Sequence, residues 1–197
     1  MRAPARREQL LDVTTALVSD EGFHSVSVEA VAQRCGITRA VVYQHFGDLQ
    51  ALLEAVISRE MNRALEQVTR TALGDLSTGD PQELMVESLR TYLRAVHEHP
   101  TTWRLVLMPP EGAPEKLRLV IAKGRSTVLE QLTRAVRPAL SGGDDEDADL
   151  TARILSAIAD EYARLVLTDA TRFPPERLLR HAQWWLGQAS LGLTASP

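Results

Sequence analysis

Apolar residues recur every three or four positions along almost the whole chain, and that spacing predicts helices rather than strands. Leu10, Val13, Leu17 and Phe23 share one stripe, and Gly22 is expected to end the helix that carries most of it. Ser27 is placed to cap a short helix, "VEAVAQR", which stops at Cys35-Gly36, and Thr38 is placed to cap another over 39–46. A long helix is expected from about 49 to 73, broken by "GDLSTGDP". Asp80, Pro81 and Glu83 combine a cap, a proline in the first turn and a carboxylate three residues after the cap. The helix they open carries Met85, Leu89, Tyr92, Leu93 and Val96 on one face and stops before Pro100. "TTWRLVLM" is a further helical piece before the break "PPEGAP", and Leu117, Ile121, Val128, Leu132 and Val136 mark a long helix ended by Pro138. "SGGDDEDAD" is expected to be a solvated loop, and two helices, about 149–169 and 174–192, close the chain around "FPP". There is no alternating strand pattern and no internal repeat, so the reading is an all-α protein of about nine helices.

Composition narrows the class. The 197 residues can bury one sizeable core or two small ones. Net charge is −4, which excludes a globally basic nucleic-acid binder, but the balance is uneven: removing the five acids of "DDEDAD" turns −4 into +1. A single cysteine, Cys35, excludes an internal disulfide and suits a reducing compartment. The basic start "MRAPARREQLL" has no apolar signal-peptide core, and no stretch approaches ~18 apolar residues, so no membrane span and a cytoplasmic location are expected.

The segment around residues 27–46 carries the chemistry. Three short helices with a glycine-containing turn between the second and third have the layout of a helix-turn-helix. At about 100° per residue, Val42 and Phe46 point inward with Ile37, toward Leu10, Val13, Val28 and Val31. Ala40 and Gln44 then point outward, with Arg39 and Tyr43 on one flank and Val41 and His45 on the other. A tiny residue, an amide and a flanking arginine suit a helix that enters the major groove and reads base edges. Tyr43 and His45 can donate to phosphates, as can backbone N–H groups at Ser27 and Thr38. Val41 is either one wall of the reading helix or half-buried. Arg2, Arg6 and Arg7 form either a phosphate-touching arm or a frayed basic end.

"EGFHSVSVEAVAQRCGITRAVVYQHFGDLQALLEAV" resembles the DNA-binding domain of the TetR family of transcriptional regulators. The matching features are Gly22-Phe23, Ser27-Val28, Val31-Ala32, Gly36-Ile37-Thr38, Tyr43-x-His45-Phe46 and x-Leu52-Leu53, specific as a set over roughly residues 6 to 56. The resemblance implies a helix-turn-helix domain over 1–48 and a ligand-binding and dimerisation domain over 49–197. It also implies a homodimer joined through the last two helices, a palindromic DNA operator and a small-molecule effector. Members of the family usually carry a phosphate-touching lysine where this chain has Leu49, after Asp48, one positive charge fewer and one negative more.

The rest of the chain offers less. Candidate effector contacts are Met85, Tyr92, Trp103 and Arg104, with Glu161 on an apolar arc of Leu150, Ile154, Ile158 and Leu165; Tyr92 and Trp103 are alternatively plain core, and Glu161 alternatively a salt bridge across the dimer. Candidate interface residues are Ile154, Ile158, Tyr162 and Leu165 on one helix and Leu178, Leu179, Trp185 and Leu186 on the other. His97 and His99 diverge on a helix, and the acid run lacks the spacing and glycine of a calcium loop, so no metal is expected. No serine elbow, phosphate-cradling loop or Cys–His nucleophile is present, so neither catalytic residues nor a cofactor are expected. The competing reading is a helical dimer that binds a lipophilic ligand or partner protein and has weak or lost DNA binding.

Overall fold

The computed structural model describes residues 3–70, 80–109, 113–139 and 145–193. Among them are nine α-helices and no strand: α1 Ala3–Glu21, α2 Val28–Cys35, α3 Arg39–Phe46, α4 Leu49–Arg70, α5 Pro81–Glu98, α6 Pro100–Leu107, α7 Glu115–Val136, α8 Asp145–Thr168 and α9 Pro175–Leu193. The expected end of the fourth helix at 73, the break at 74–79 and Asp144 lie outside the described residues.

The chain forms two compact units. The first holds Met1–Ala64 with Thr101–Ala122, the second Leu65–Pro100 with Lys123–Pro197. This differs from a boundary between 48 and 49. The reason is that three short helices cannot bury their own apolar faces. Leu10, Leu11, Leu17, Val31 and Val42 share their core with Leu52, Val56 and Ile57 of α4, and with Leu105 and Leu117 from further along the chain. Removing water from side chains of this size is worth roughly 1.5–3 kcal/mol each, so α4 as far as Ala64 belongs to the unit whose core it completes.

The same unit contains a buried ionic network. Glu60 of α4 is 1% exposed. Its carboxylate accepts hydrogen bonds from the Thr102 hydroxyl of α6 at 2.5 Å, from Arg59 Nε at 2.9 Å and from Arg63 at 3.0 Å. Arg59 also donates to Glu8 at 3.0 Å, Asp12 at 2.7 Å and the Thr15 hydroxyl at 3.1 Å, all on α1. A charge taken out of water is expensive unless each lone pair finds a donor; here five side chains from α1, α4 and α6 supply the partners of one salt-bridged pair.

In the second unit α5 packs on α8 and α9. Asp80 opens α5 as expected, accepting the Gln82 N–H at 2.9 Å ahead of Pro81. The buried side of α8 is small at its start, with Ala148 and Ala152, and larger toward its end, with Tyr162, Ala163, Val166 and Leu167. Two expectations for α8 are corrected. The helix begins at Asp145 rather than 149, so most of the acid run is its first turn and not a loop; carboxylates there favour the positive end of the helix dipole. The arc through Leu150 and Ile154 faces outward, both being exposed.

Candidate nucleic-acid interface

The turn before the reading helix is fixed by local backbone chemistry. The Ser27 hydroxyl accepts the Ala30 N–H at 3.0 Å and caps α2. Gly36 ends that helix at φ +63, a left-handed conformation open to glycine at no steric cost. The Ile37 N–H then returns to the Ala32 carbonyl at 3.0 Å, which turns the chain into α3. Thr38 occupies the cap position of α3 with extended backbone, but its hydroxyl makes no capping bond. The Thr38 carbonyl accepts the Val41 N–H at 3.1 Å instead, and its side chain stays on the surface.

The faces of α3 separate as its sequence pattern requires. Val42 is buried, and Ile37 and Phe46 are half-buried against the core of the first unit. Arg39, Ala40, Tyr43 and Gln44 are exposed, with Tyr43 at 49%. Val41 and His45 are half-buried at the edges. The His45 and Phe46 ring centroids lie 6.4 Å apart, and the Arg7 guanidinium sits 5.0 Å from the Phe46 ring centroid. This cation–π contact ties the start of α1 to the end of α3; a basic residue alone in the sequence gives no signal for it. Arg39 pairs with Glu29 at 3.8 Å, both well exposed, and Arg34 pairs with Glu21. Such surface pairs are worth little and exchange readily for a phosphate.

Asp48 has a structural role that its charge alone obscured. It caps α4, accepting the Ala51 N–H at 2.7 Å. Leu49 beside it is half-buried and packs against the core of the first unit.

The effector candidates divide between the units. In the second, the Tyr92 hydroxyl of α5 donates to Asp160 of α8 at 3.3 Å, and Arg125 of α7 bridges the other Asp160 oxygen at 2.9 Å. Burial raises the Asp160 carboxyl above its ordinary value, against Arg125, Arg164 and the Tyr92 hydrogen bond; burial and then Asp160 push Tyr92 well above the usual phenol range. Met85 lies two turns before Tyr92 on α5 and is half-buried. Glu161, by contrast, is exposed and bonds Arg164 at 3.2 Å on its own helix. The acid that meets Tyr92 is therefore Asp160, one residue earlier, because the arc chosen from the sequence is the outward one. Trp103 and Arg104 belong to α6 in the first unit, Trp103 buried and Arg104 exposed.

The interface candidates divide likewise. Tyr162, Leu178 and Leu179 are buried in their own unit and leave almost no surface for a partner. The Tyr162 hydroxyl lies 2.6 Å from His181 Nδ1. Ile154 is exposed, while Ile158, Leu165, Trp185 and Leu186 are half-buried. Trp184, absent from the sequence-based set, is 61% exposed and stands out with Leu150 and Ile154.

Among the described residues no group of three or more His, Cys, Asp or Glu could hold a metal ion, and no helix is long and apolar enough to cross a membrane.

A capped helix, a left-handed glycine turn and a second helix with a buried and an exposed face define a helix-turn-helix protein. Residues 10–56 match the family model described as bacterial regulatory proteins, tetR family. The HTH-type transcriptional regulator BetI of Yersinia pestis (strain Pestoides F) is 35% identical over 95 residues, 48% of this chain and 43% of BetI, so the match spans under half of that relative's length. UidR of Escherichia coli (strain K12), another HTH-type transcriptional regulator, is 27% identical over 158 residues, covering 78% of this chain and 77% of UidR. A TetR-like transcriptional regulator from Rhodococcus sp. RHA1 shares the fold over 100% of both chains, with TM-score 0.77 and 21% identity. A regulator from Saccharomonospora viridis, solved in complex with choline, superposes with TM-score 0.68 at 20% identity, covering 93% of this chain and 96% of the other. Residues 10–56 are thus similar to the DNA-binding region of the tetR family of bacterial regulatory proteins.

Proposed function

We propose that this chain is a transcriptional regulator, a repressor, that binds a palindromic operator as a homodimer and releases it when a small molecule occupies the second unit. The observation that carries the reading is the division of α3: Val42 is buried while Arg39, Ala40, Tyr43 and Gln44 stand in solvent. Gln44 is suited to pair bidentately with adenine, Arg39 with guanine or phosphate, and Tyr43 and His45 with phosphate from the flanks. Ser27, Thr38 and Val41 complete the contact set. The exposed apolar positions Leu150, Ile154 and Trp184 on the last two helices support a dimer, because apolar area of this kind is stabilised by a partner. The Tyr92–Asp160–Arg125 cluster supplies polar contacts for an effector in the second unit, and the Saccharomonospora viridis regulator demonstrates that a protein of this fold holds a small molecule.

Coupling is a two-state linkage. DNA favours the dimer whose reading helices are one helical turn of DNA apart, and the effector favours another spacing, so each ligand weakens the other by the same factor. The chain is not read as an enzyme.

One observation favours the competing reading, a ligand-binding dimer with weak DNA binding. Residues 1–50 hold five Arg and six acids, a sum of −1, and Arg34 and Arg39 are paired with carboxylates. A gel shift with the DNA upstream of the chain's own gene, run with sedimentation at micromolar protein, separates the two. A sequence-specific complex of a dimer near twice 21.8 kDa is expected. A dimer that prefers no sequence would establish the competing reading, and a monomer would remove the operator model.

A further inference from the structure

The first unit contains a cleft of about 260 Å³ that is separate from the Tyr92–Asp160 cluster. Val18 from α1, Val56 from α4, and Leu105 and Met108 at α6 give it apolar walls. Arg104 carries the only charge among the described residues that line it. The volume falls just below the range of roughly 300–1,000 Å³ that suits drug-sized ligands, so the occupant is a smaller molecule.

The walls are held in place rather than loosely apposed. Thr15 lines the cleft, donates its hydroxyl to the Leu11 carbonyl at 2.8 Å and accepts Arg59 at 3.1 Å. Its hydroxyl is therefore committed, and the methyl is what it can offer a ligand. Arg59 joins buried Glu60, and Glu60 takes the Thr102 hydroxyl of α6 at 2.5 Å. The three helices that wall the cleft are thus the three that the ionic network ties together. A preorganised apolar slot costs a ligand little ordering. A ligand's buried charge would have to find a partner, and Arg104 offers the matching one.

We infer that this cleft is a small-molecule site for an amphipathic monoanion, a carboxylate on a short apolar body. The tail lies on Val18, Val56, Leu105 and Met108, and the carboxylate meets Arg104. The site does not rest on the DNA-binding reading, and its test is made on the free protein.

The probe is sodium octanoate titrated into the full chain and followed by calorimetry and by the fluorescence of Trp103, the neighbour of Arg104. One site per protomer with a dissociation constant of about 1 mM or tighter is expected. Octanol and octylamine should bind at least tenfold more weakly. Arg104→Gln, a change at an exposed side chain, should weaken octanoate at least tenfold, and Ser19→Leu, which fills a wall of the cleft, should abolish binding. Thermal melts check that both variants fold; should Ser19→Leu fail to, Arg104→Gln and the two uncharged or cationic probes decide alone. Tyr92→Phe in the second unit should leave octanoate binding unchanged. Equal binding of octanol, an unchanged constant in Arg104→Gln, loss of binding in Tyr92→Phe alone, or no saturable binding would each overturn the site.

Discussion

The Asp48 carboxylate accepts the backbone N–H of Ala51 at 2.7 Å, and so the acid just after the reading helix is the cap of α4. An N-terminal cap satisfies a donor that no helical carbonyl can reach. Asp48→Ala should lower stability by about 1 kcal/mol, and Asp48→Asn, which caps as well, by far less. Thermal melts of the two variants test this; equal losses would mean that the charge rather than the hydrogen bond matters.

Leu49 is half-buried on the first unit's core. A lysine there can lay its stem where leucine packs and carry its ammonium to the surface. Leu49→Lys should therefore add one phosphate contact per protomer and steepen the slope of log affinity against log salt by roughly 0.9 per contact, about 1.8 per dimer. Preference among operators should stay the same, since phosphate contacts carry no base information. A falling melting temperature with an unchanged slope would place this helix end away from the DNA backbone.

Gln44 is exposed on α3 between Ala40 and the flanking Tyr43. Gln44→Ala should cost ~1–3 kcal/mol at one position of each half-site. Tyr43→Phe should weaken all sequences about equally. Binding measured across an operator library decides the matter: an intact preference in Gln44→Ala would show that another face of α3 reads the bases.

Glu60 and Thr102 provide a test of the buried network. Thr102→Val removes the hydroxyl that donates to Glu60 at 2.5 Å and leaves a buried carboxylate one donor short. A loss of roughly 1–3 kcal/mol is expected. Glu60→Ala leaves Arg59 with Glu8 and Asp12 but removes the acceptor shared by Thr102, Arg59 and Arg63 and opens a gap in the core, and should cost more, about 3 kcal/mol. Urea midpoints measure both; a larger loss from Thr102→Val than from Glu60→Ala would contradict the view that the ion pair is the centre of the network.

Asp160 gives a pH-dependent signature. Burial holds its carboxyl above the ordinary 3.8, outweighing Arg125, Arg164 and Tyr92. The native state then holds this proton more tightly than the unfolded chain. The resulting stability is full below pH 3.8 and is lost as pH rises through the raised native value. Asp160→Asn removes that dependence and leaves Arg125, half of it already in water, to solvent. The stability of Asp160→Asn relative to the parent should therefore rise as the pH increases from 3.8. A difference that stays flat or falls would show that the Arg125 pair outweighs burial.

Local chemistry is legible in one dimension. The sequence by itself determined the helices, because apolar spacing and caps such as Ser27 and Asp80 act within a few residues. It also determined the two faces of α3, because Val42 and Gln44 are fixed relative to each other by helix geometry alone. What it could not determine is which of two apolar arcs a helix turns inward. In the first half of α8 the larger side chains at 150 and 154 face out, while Ala148 and Ala152 face in. That choice depends on how α5 packs on α8 and α9; it sets Asp160 rather than Glu161 against Tyr92 and leaves Trp184 more exposed than Trp185. Tertiary structure also decided where the first unit ends, because α4 and α6 supply apolar area that three short helices lack. The Arg59–Glu60–Thr102 network and the contact of Arg7 with Phe46 were decided the same way, since each joins residues about 40 positions apart that only packing brings together.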